Sequence, residues 1–332
     1  MPPPAITAPL DDLAARVAAG ERRALARAIT LVESTRPDHR EQARYLLERL
    51  SNSDSVARRI GLSGTPGVGK STFIEALGMR LIGQGHKVAV LAVDPSSARS
   101  GGSILGDKTR MEELSRQSGA FIRPSPSHGA LGGVARRTRE TIRLVEAAGF
   151  DTVLVETVGV GQSETMVAEL TDVFLLLLAP AGGDELQGVK RGIMEIADMI
   201  LVNKADGPLE AVANATRTEY AAALHLMRPR SGDADGFPMA MTVSAVTGHG
   251  LEKAWEEVRR LFDWRRDHGW ISRRRSAQAV AALDRALEAG ALQALLNQTD
   301  LAKRLDGLRK DVADGRLDPE AAAEVLITGL TG

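Results

Sequence analysis

The sequence contains no cysteine, and this absence removes several kinds of chemistry from consideration. None of its 332 residues carries a thiol, so disulfides, thiolate metal ligands and cysteine nucleophiles are excluded. The six histidines are scattered and lack the paired spacing that is typical of metal ligands. A chain without cysteine fits a reducing compartment, and we expect a cytoplasmic location.

Long apolar runs and an excess of one charge are also missing. The longest apolar run, residues 173–180, is too short to span a bilayer. The first residues lack the basic and then apolar pattern of a signal peptide. The 42 basic residues balance 43 acidic ones, which leaves a formal net charge of -1. We therefore expect a soluble protein whose partners include neither a membrane nor a nucleic acid.

One glycine-rich stretch carries the strongest functional signal. It fits G-x-x-x-x-G-K-[ST], the phosphate-binding P-loop, whose tight turns aim main-chain N–H groups at a polyphosphate. Lys70 is expected to reach the β- and γ-phosphates, and Ser71 to offer its hydroxyl to Mg²⁺. A predicted strand precedes the motif and a predicted helix over 72–81 follows it. The expected nucleotide-binding residues here are Gly64, Thr65, Pro66, Gly67, Val68, Gly69, Lys70, Ser71 and Thr72.

The whole chain divides into three parts by pattern. Residues 1–57 read as an N-terminal helical extension, with helices over 10–19, 21–33 and 39–50. Residues 58–268 alternate apolar runs with helical segments, which predicts an α/β P-loop domain with a mostly parallel sheet flanked by helices. Residues 269–332 read as a C-terminal helical arm whose last helix starts at Asp318-Pro319. The predicted strands are 59–63, 88–93, 152–155, 173–178, 199–202 and 239–243.

Acidic residues follow two of these predicted strands. Asp94 and Glu156 stand where ligands bind in an open α/β sheet, beyond the carboxyl ends of the strands. With a P-loop upstream, we expect both carboxylates to hold Mg²⁺ directly or through water, although acidic residues at strand ends also serve as helix caps. Gly159, three residues after Glu156, is expected to offer its N–H to the γ-phosphate.

The tetrapeptide Asn203-Lys204-Ala205-Asp206 indicates which base is bound. Guanine presents N1–H and N2–H₂ as adjacent donors, and an acceptor-only carboxylate at Asp206 pairs with both, whereas adenine lacks that donor pair. Asn203 is expected to bond the base or brace the loops, and Lys204 to lay its stem along the ring. The next strand is followed by Ser244, Ala245 and Val246, which complete a base pocket through main-chain groups.

Taken together, these motifs resemble the GTPases of the metallochaperone class, and stretches around Asp94, Asp107 and Glu156 are similar to the MeaB/ArgK branch. The resemblance covers essentially the whole chain. It implies a Mg²⁺-dependent GTPase that binds GTP and GDP and acts as chaperone and gatekeeper of adenosylcobalamin-dependent methylmalonyl-CoA mutase. Such proteins couple GTP hydrolysis to cofactor loading and protect the mutase from inactivation.

The resemblance also implies further residues and a second partner. Asp107 joins the candidate metal ligands Ser71, Asp94 and Glu156. A switch loop containing Asp184, Gln187 and Lys190 couples nucleotide state to the partner, the alternative being a solvated loop that opens a helix. The C-terminal arm makes a homodimer, although pairing of its helices within one chain is the default reading.

Catalysis is less well indicated by the sequence. In many small GTPases a glutamine directly follows the glycine at the position of Gly159 and orients the attacking water, but here Val160 follows and glutamine appears at Gln162. The catalytic candidates are Lys70, Asp94, Glu156 and Gln162, and we expect slow intrinsic hydrolysis that a partner accelerates. A P-loop kinase of a small metabolite and a GTPase that delivers nickel are the alternatives.

One further stretch is given a simpler interpretation. Arg136-Arg137-Thr138-Arg139, followed by Glu140, predicts the exposed face of a helix. Contact with a phosphate is the alternative.

Overall fold

The computed structural model describes residues 4–51, 56–93, 111–124, 131–157, 163–180, 191–228, 230–296 and 299–331. The chain forms two compact units, Met1–Arg275 and Ser276–Gly332. None of the helices within the described ranges is both long enough and apolar enough to cross a membrane.

The first unit is built on a sheet in which every described strand pairing is parallel. Its strands are β1 (Arg58–Ser63), β2 (Val88–Val93), β3 (Ala120–Pro124), β4 (Thr152–Thr157), β5 (Val173–Leu178), β6 (Met199–Val202) and β7 (Met239–Thr242). Their order across the sheet is β3-β2-β4-β1-β5-β6-β7. The predicted fold class is confirmed, with β3 as a strand that the sequence pattern did not predict.

Helices cover both faces of this sheet. They are α1 (Pro4–Ala18), α2 (Arg22–Glu33), α3 (Pro37–Arg49), α4 (Lys70–Gly83), α5 (Glu112–Arg116), α6 (Leu131–Ala147), α7 (Ser163–Ala168), α8 (Arg191–Ile196), α9 (Glu210–His225) and α10 (Leu251–Asp267). The next helix, α11 (Trp270–Leu296), begins in the first unit and continues into the second. Apolar residues of α4, α5 and α10 pack on one face, and those of α1, α2, α3, α6, α7 and α9 pack on the other.

Strand β2 shows why the strands read as continuous apolar runs. Successive side chains of a strand point to opposite faces of the sheet. Val88 and Val90 accordingly join the apolar cluster around α4, and Ala89, Leu91 and Val93 join the opposite cluster. Because both faces are covered, every one of these positions is buried.

The N-terminal helices are part of the larger core. Leu25, Ile29 and Val32 of α2 are fully buried, at the helical spacing that the sequence shows. Fully burying a side chain of this kind contributes about 1.5–3 kcal/mol. These residues belong to the apolar cluster that also contains strand residues such as Val153 and Val155, so this helical layer packs directly onto the sheet.

A buried ion-pair network lies where β6 begins. The carboxylate of Asp198 accepts hydrogen bonds from Arg265 at 2.7 and 3.1 Å and from Arg230 at 3.0 Å. Burial alone would raise the pKa of Asp198, but the charge and hydrogen bonds of Arg265, together with Arg230, outweigh burial and lower this pKa below its ordinary value. Arg265 also donates to Asp233 at 2.7 Å, so two buried carboxylates compensate its charge.

The first turns of α11 are fixed to the same region by two arginines. Arg274 donates to the carbonyl oxygens of Thr171 and Ala168, both at 2.8 Å, just after the end of α7. Arg275 pairs with the buried carboxylate of Asp172 at 2.9 and 2.6 Å. These contacts hold the beginning of α11 in the first unit, and the boundary between the units follows Arg275.

The second unit is helical. Beyond the remainder of α11 it contains α12 (Thr299–Ala313) and α13 (Pro319–Thr331), which pack against each other. The carboxylate of Asp318 accepts hydrogen bonds from the N–H groups of Glu320 and Ala321 at 3.0 and 3.2 Å. The predicted cap with proline at the first position of the last helix is therefore confirmed.

Candidate functional site

The carboxyl ends of parallel strands meet at one edge of the sheet. The predicted site residues that the structure describes lie at this edge. Gly64 follows β1, and Glu156 and Thr157 end β4. Asn203 follows β6, and Ser244 comes two residues after the end of β7. The strand order thus brings together segments that are distant in sequence.

The phosphate loop between β1 and α4 requires glycine at two points. Gly64 has φ 152°, and a Cβ there would overlap the carbonyl oxygen of Leu177. Gly69 has φ 91°, and a Cβ there would lie 2.7 Å from the side-chain amide nitrogen of Asn203. An L-residue rarely adopts these backbone angles, and the close neighbours leave no room for its side chain.

Lys70 is the first residue of α4, and its side chain returns to the loop that precedes it. Its Nζ donates to the carbonyl oxygens of Gly64 at 2.7 Å and Thr65 at 3.2 Å. The side chain is buried, as is Val68 in the same loop. The amine therefore lies inside the curve of the loop, and the positive end of the α4 dipole lies beside it.

Two oxygen-bearing side chains meet at the start of the same helix. The hydroxyl of Ser71 lies 3.4 Å from Oε1 of Glu156 and donates to it, and Glu156 is buried. Hydroxyl and carboxylate oxygens are hard ligands of the kind that Mg²⁺ takes beside phosphates. This pair therefore fits the metal that a P-loop uses. No group of three or more acidic or histidine side chains suited to a metal occurs in the part of the chain that the structure describes.

The segment Asn203–Asp206, which the sequence predicts to read the base, is called the base-reading loop here, and Asn203 ties it to the phosphate loop. Its Nδ2 donates to the carbonyl oxygen of Val68 at 2.9 Å, and its Oδ1 accepts from the N–H of Ala245 at 3.1 Å. The side chain is 2% exposed, so both polar atoms are satisfied inside the protein. Of the two roles expected for Asn203, the structure shows the bracing of the loops.

The carboxylate of Asp206 is held by a neighbouring loop. The hydroxyl of Ser244 donates to Oδ1 of Asp206 at 2.6 Å and accepts from the N–H of Thr247 at 3.1 Å. Ser244 is fully buried, which fixes this geometry. Asp206 keeps acceptor capacity for further donors, because an ionised carboxylate offers about four acceptor positions.

Lys204 spans the distance between the two loops. It has φ 58°, a left-handed conformation that is unusual for a residue with a side chain. Its Nζ donates to the carbonyl oxygen of Gly67 at 2.8 Å. The side chain thus forms one wall from the base-reading loop to the phosphate loop.

The structure brings the P-loop, Glu156, the Asn203–Asp206 segment and Ser244-Ala245 to one edge of the sheet. The side chain of Val246 is 80% exposed, and its expected main-chain contact with the base stays a prediction. Other predicted residues, namely Asp94, Asp107, Gly159, Gln162, Asp184, Gln187 and Lys190, lie outside the described residues. Sequence reasoning missed the hydrogen bond from Ser244 to Asp206 and named no partner for the bracing by Asn203, since these partners are not adjacent in sequence.

This combination of a parallel sheet, a P-loop at the end of β1 and an acidic base-reading loop after β6 defines a P-loop nucleotide-binding protein. A carboxylate in the base pocket favours guanine over adenine.

Comparison with known proteins agrees with this class. Residues 25–300 match the family described as methylmalonyl Co-A mutase-associated GTPase MeaB. A probable GTPase of Mycobacterium tuberculosis is 51% identical over 318 residues, which cover 96% of this chain and 94% of that protein. The mouse protein named methylmalonic aciduria type A homolog, mitochondrial, is 44% identical over 328 residues, covering 96% of this chain and 79% of that protein. The crystal structure of an LAO/AO transport system kinase matches with a TM-score of 0.77 at 37% identity, and covers 98% of each chain.

The chain therefore belongs to the MeaB family of P-loop GTPases. Members of this class bind guanine nucleotides and hydrolyse GTP to GDP and phosphate. The resemblance noted in the sequence is confirmed at the level of the family.

Proposed function

We propose that this GTPase serves an adenosylcobalamin-dependent methylmalonyl-CoA mutase, and that it couples GTP hydrolysis to loading of the cofactor and protection of the mutase. The description of the family names an association with that mutase, and a relative that is 44% identical is named for methylmalonic aciduria. The structural observation that best supports nucleotide binding is the pair of hydrogen bonds through which Asn203 braces the base-reading loop against the phosphate loop.

Guanine selection is proposed to rest on Asp206. Ser244 orients its carboxylate at 2.6 Å, so the remaining acceptor positions can receive N1–H and N2–H₂ of guanine together. Adenine offers no such pair of donors, and its binding would leave the remaining acceptor positions of the carboxylate desolvated and unpaired. That penalty is about 1–3 kcal/mol for a polar group and larger for a charged one.

Phosphate handling is proposed to rest on Lys70, Ser71 and Glu156. Lys70 would exchange the carbonyl oxygens of Gly64 and Thr65 for phosphate oxygens when a nucleotide binds. Ser71 and Glu156 would hold Mg²⁺, with Asp94 and Asp107 as further ligands. The metal would neutralise charge that develops on the phosphates. Gln162 remains the candidate for positioning water, with Asp184, Gln187 and Lys190 as the coupling residues toward the partner.

The nucleotide assignment is tested by calorimetry with GTP, ATP and xanthosine triphosphate. The wild-type protein should bind GTP in preference to ATP. Asp206→Asn should weaken GTP binding by at least about tenfold and favour xanthosine triphosphate, because xanthine places a carbonyl where guanine has its amino group. Equal binding of ATP and GTP by the wild-type protein would contradict the assignment.

The partner assignment is tested by phosphate release with and without the mutase. We expect slow release alone and faster release in the complex, because the partner orders the catalytic segments. Lys70→Ala should abolish turnover in both conditions. Equal rates with and without the mutase would count against the chaperone function while leaving the GTPase assignment intact.

A homodimer is proposed from the surface of α11 in the second unit. Val280, Leu283 and Leu287 recur at helical spacing, and each is more than half exposed. Such a stripe is typical of a helix that packs against another chain. Leu283→Asp and Leu287→Asp together should convert a dimer to a monomer in light-scattering measurements, and a wild-type mass equal to one subunit would remove the proposal.

A kinase of a small metabolite is the second candidate, because the matched crystal structure carries the name LAO/AO transport system kinase. Phosphate release without any acceptor substrate would favour the GTPase, whereas formation of nucleoside diphosphate and a phosphorylated acceptor, without release of phosphate, would favour the kinase. The cytoplasmic location stays a prediction.

A further inference from the structure

A second concave site lies between α3 and α6. Both helices pack on the face of the sheet opposite α4, so this cleft is separate from the phosphate loop. Its volume is about 610 Å³, which falls within the usual range for small-molecule sites. Five arginines line it, from both walls: Arg40, Arg44, Arg136, Arg139 and Arg143.

Two contacts join the helices that line the cleft. Arg40 of α3 donates to Glu140 of α6 at 3.2 Å. Arg143 of α6 donates to the carbonyl oxygen of Leu47 of α3 at 3.1 Å. These contacts hold the two walls of the cleft against each other.

The sequence pattern here was interpreted as an exposed helix face, and this is correct only in part. Arg137 and Thr138 are buried, at 7% and 4% exposure. Arg136 and Arg139 line the cleft instead. The arginines of α6 that recur every three or four residues therefore face α3 together with Glu140, while Arg137 and Thr138 pack inward.

The charges in the cleft do not cancel. Five guanidinium groups face three carboxylates, those of Glu41, Glu48 and Glu140. Glu140 serves two of the arginines, Arg40 at 3.2 Å and Arg136 at 3.6 Å. The side chain of Arg44 makes neither a hydrogen bond nor an ion pair with any residue in the described ranges. An excess of positive charge therefore remains between the walls.

One carboxylate in the cleft is largely withdrawn from water, because the side chain of Glu140 is 16% exposed. Burial raises the pKa of Glu140, although the charges of Arg40, Arg143, Arg139 and Arg137 all act to lower it. A group that feels this much burial lies in surroundings where charges interact more strongly than in bulk water. An anion in the cleft would benefit from the same effect.

We propose that this cleft binds a small anion that carries two or more phosphate groups. Guanidinium groups match phosphate oxygens in planar, paired hydrogen bonds, and a ligand with two phosphates can contact arginines of both helices at once. Leu47 alone is apolar among the described residues that line the cleft, which disfavours an apolar ligand. Glu41 and Glu48 stand on α3, so the phosphates lie along α6 and against Arg44.

The test uses the full-length protein with its P-loop filled by GDP and Mg²⁺, and a second preparation carrying Lys70→Ala. The probes are inorganic phosphate, pyrophosphate, tripolyphosphate and a sugar bisphosphate, measured by calorimetry. The sugar bisphosphate distinguishes organic from inorganic sources of the same chemistry. The variant is Arg44→Glu, and the matched control is Arg27→Glu on the exposed face of α2, which makes the same change of charge outside the cleft.

Pyrophosphate, tripolyphosphate or the sugar bisphosphate should bind with one-to-one stoichiometry in both preparations, and more tightly than phosphate. Arg44→Glu should weaken this binding by at least about tenfold, because it removes charge-assisted hydrogen bonds, and GDP binding should stay unchanged. Arg27→Glu should change the affinity for these anions by less than about twofold. Absence of binding to the GDP-filled protein, or equal losses in the two variants, would overturn the proposal.

Discussion

The side-chain amide of Asn203 donates a hydrogen bond to the main-chain carbonyl of Val68 at 2.9 Å. The donor lies in the loop after β6 that we propose to read the base, and the acceptor lies in the P-loop. A residue expected either to bond the base or to brace the loops thus fixes the distance between these two loops.

Asn203→Ala should weaken GDP binding by about 10- to 100-fold. The substitution leaves the buried carbonyl of Val68 and the N–H of Ala245 without partners, at a cost of about 1–3 kcal/mol for each unsatisfied group. Calorimetry measures the affinity, and circular dichroism checks the fold. Asn214→Ala, on the exposed side of α9, is the control. Unchanged affinity in a folded Asn203→Ala protein would show that the bracing contact has no role in binding.

Ser244→Ala should reduce the preference for GTP over ATP. The hydroxyl that orients Asp206 at 2.6 Å would be lost, and a hydrogen bond to a charged group contributes about 1.5–3 kcal/mol. We expect GTP affinity to fall by about tenfold while weak ATP binding stays the same. The control variant is Ser118→Ala, which changes an exposed serine that precedes β3. A parallel loss for both nucleotides would mean that Ser244 acts on the loop as a whole and not on selection.

Gly64→Ala and Gly67→Ala should differ strongly, although both glycines have positive φ. At Gly67 a Cβ meets nothing within 4 Å, so alanine there costs only backbone strain of about 1–2 kcal/mol. At Gly64 a Cβ would overlap the carbonyl oxygen of Leu177, and the loop must move away from β5. We expect GDP affinity to fall by about tenfold for Gly67→Ala and beyond detection for Gly64→Ala.

Thermal denaturation with and without GDP separates folding from binding in this pair. A folded Gly64→Ala protein that GDP no longer stabilises is the expected result. Similar affinities for the two variants would contradict the role of the close approach between Gly64 and Leu177.

Asp198→Asn should destabilise the fold in a pH-dependent way. Breaking a buried ion pair costs about 3–5 kcal/mol, and here Arg265 and Arg230 would lose their shared carboxylate. Because the folded protein lowers the pKa of Asp198, the stabilisation is fully present above the ordinary aspartate value of about 4. It is lost as the pH falls through the lowered pKa.

Urea denaturation from about pH 7 down to about pH 3 measures this effect. The gap between the wild-type protein and Asp198→Asn should be largest near neutral pH and narrow in acid. Asp263→Asn, which removes the exposed partner of Arg266, should change the free energy of unfolding by less than about 1 kcal/mol at any pH. A gap of constant size across the range would contradict the assigned charge of Asp198.

Much of the fold could be predicted because the buried strands are long apolar runs. The predicted bounds of β2, β5 and β6 agree with the structure. Strand β3 was missed because its apolar part is only Ala120, Phe121 and Ile122 before Arg123 and Pro124, too short a run to stand out. The helix α4 begins at Lys70, two residues earlier than predicted, since the last glycine of the loop ends directly at the helix.

The candidate site was predictable in composition but not in contacts. Short motifs name Lys70, Asn203 and Asp206, because each chemical task restricts the residue type. The hydrogen bond from Ser244 to Asp206 depends on the pairing of β6 with β7. The sequence of either segment alone does not predict that pairing. The network of Asp198 with Arg265, 67 residues apart, likewise follows from packing of α10 beneath the sheet.

Lys204 reaches from the base-reading loop to the carbonyl oxygen of Gly67, and this bridge makes the two halves of a nucleotide interdependent. A fragment containing only guanine and a fragment containing only pyrophosphate would each order the same short piece of backbone. Whichever fragment arrives first removes part of the entropy cost for the second. When both fragments are present, each should therefore bind more tightly than it does alone, although no covalent bond links them.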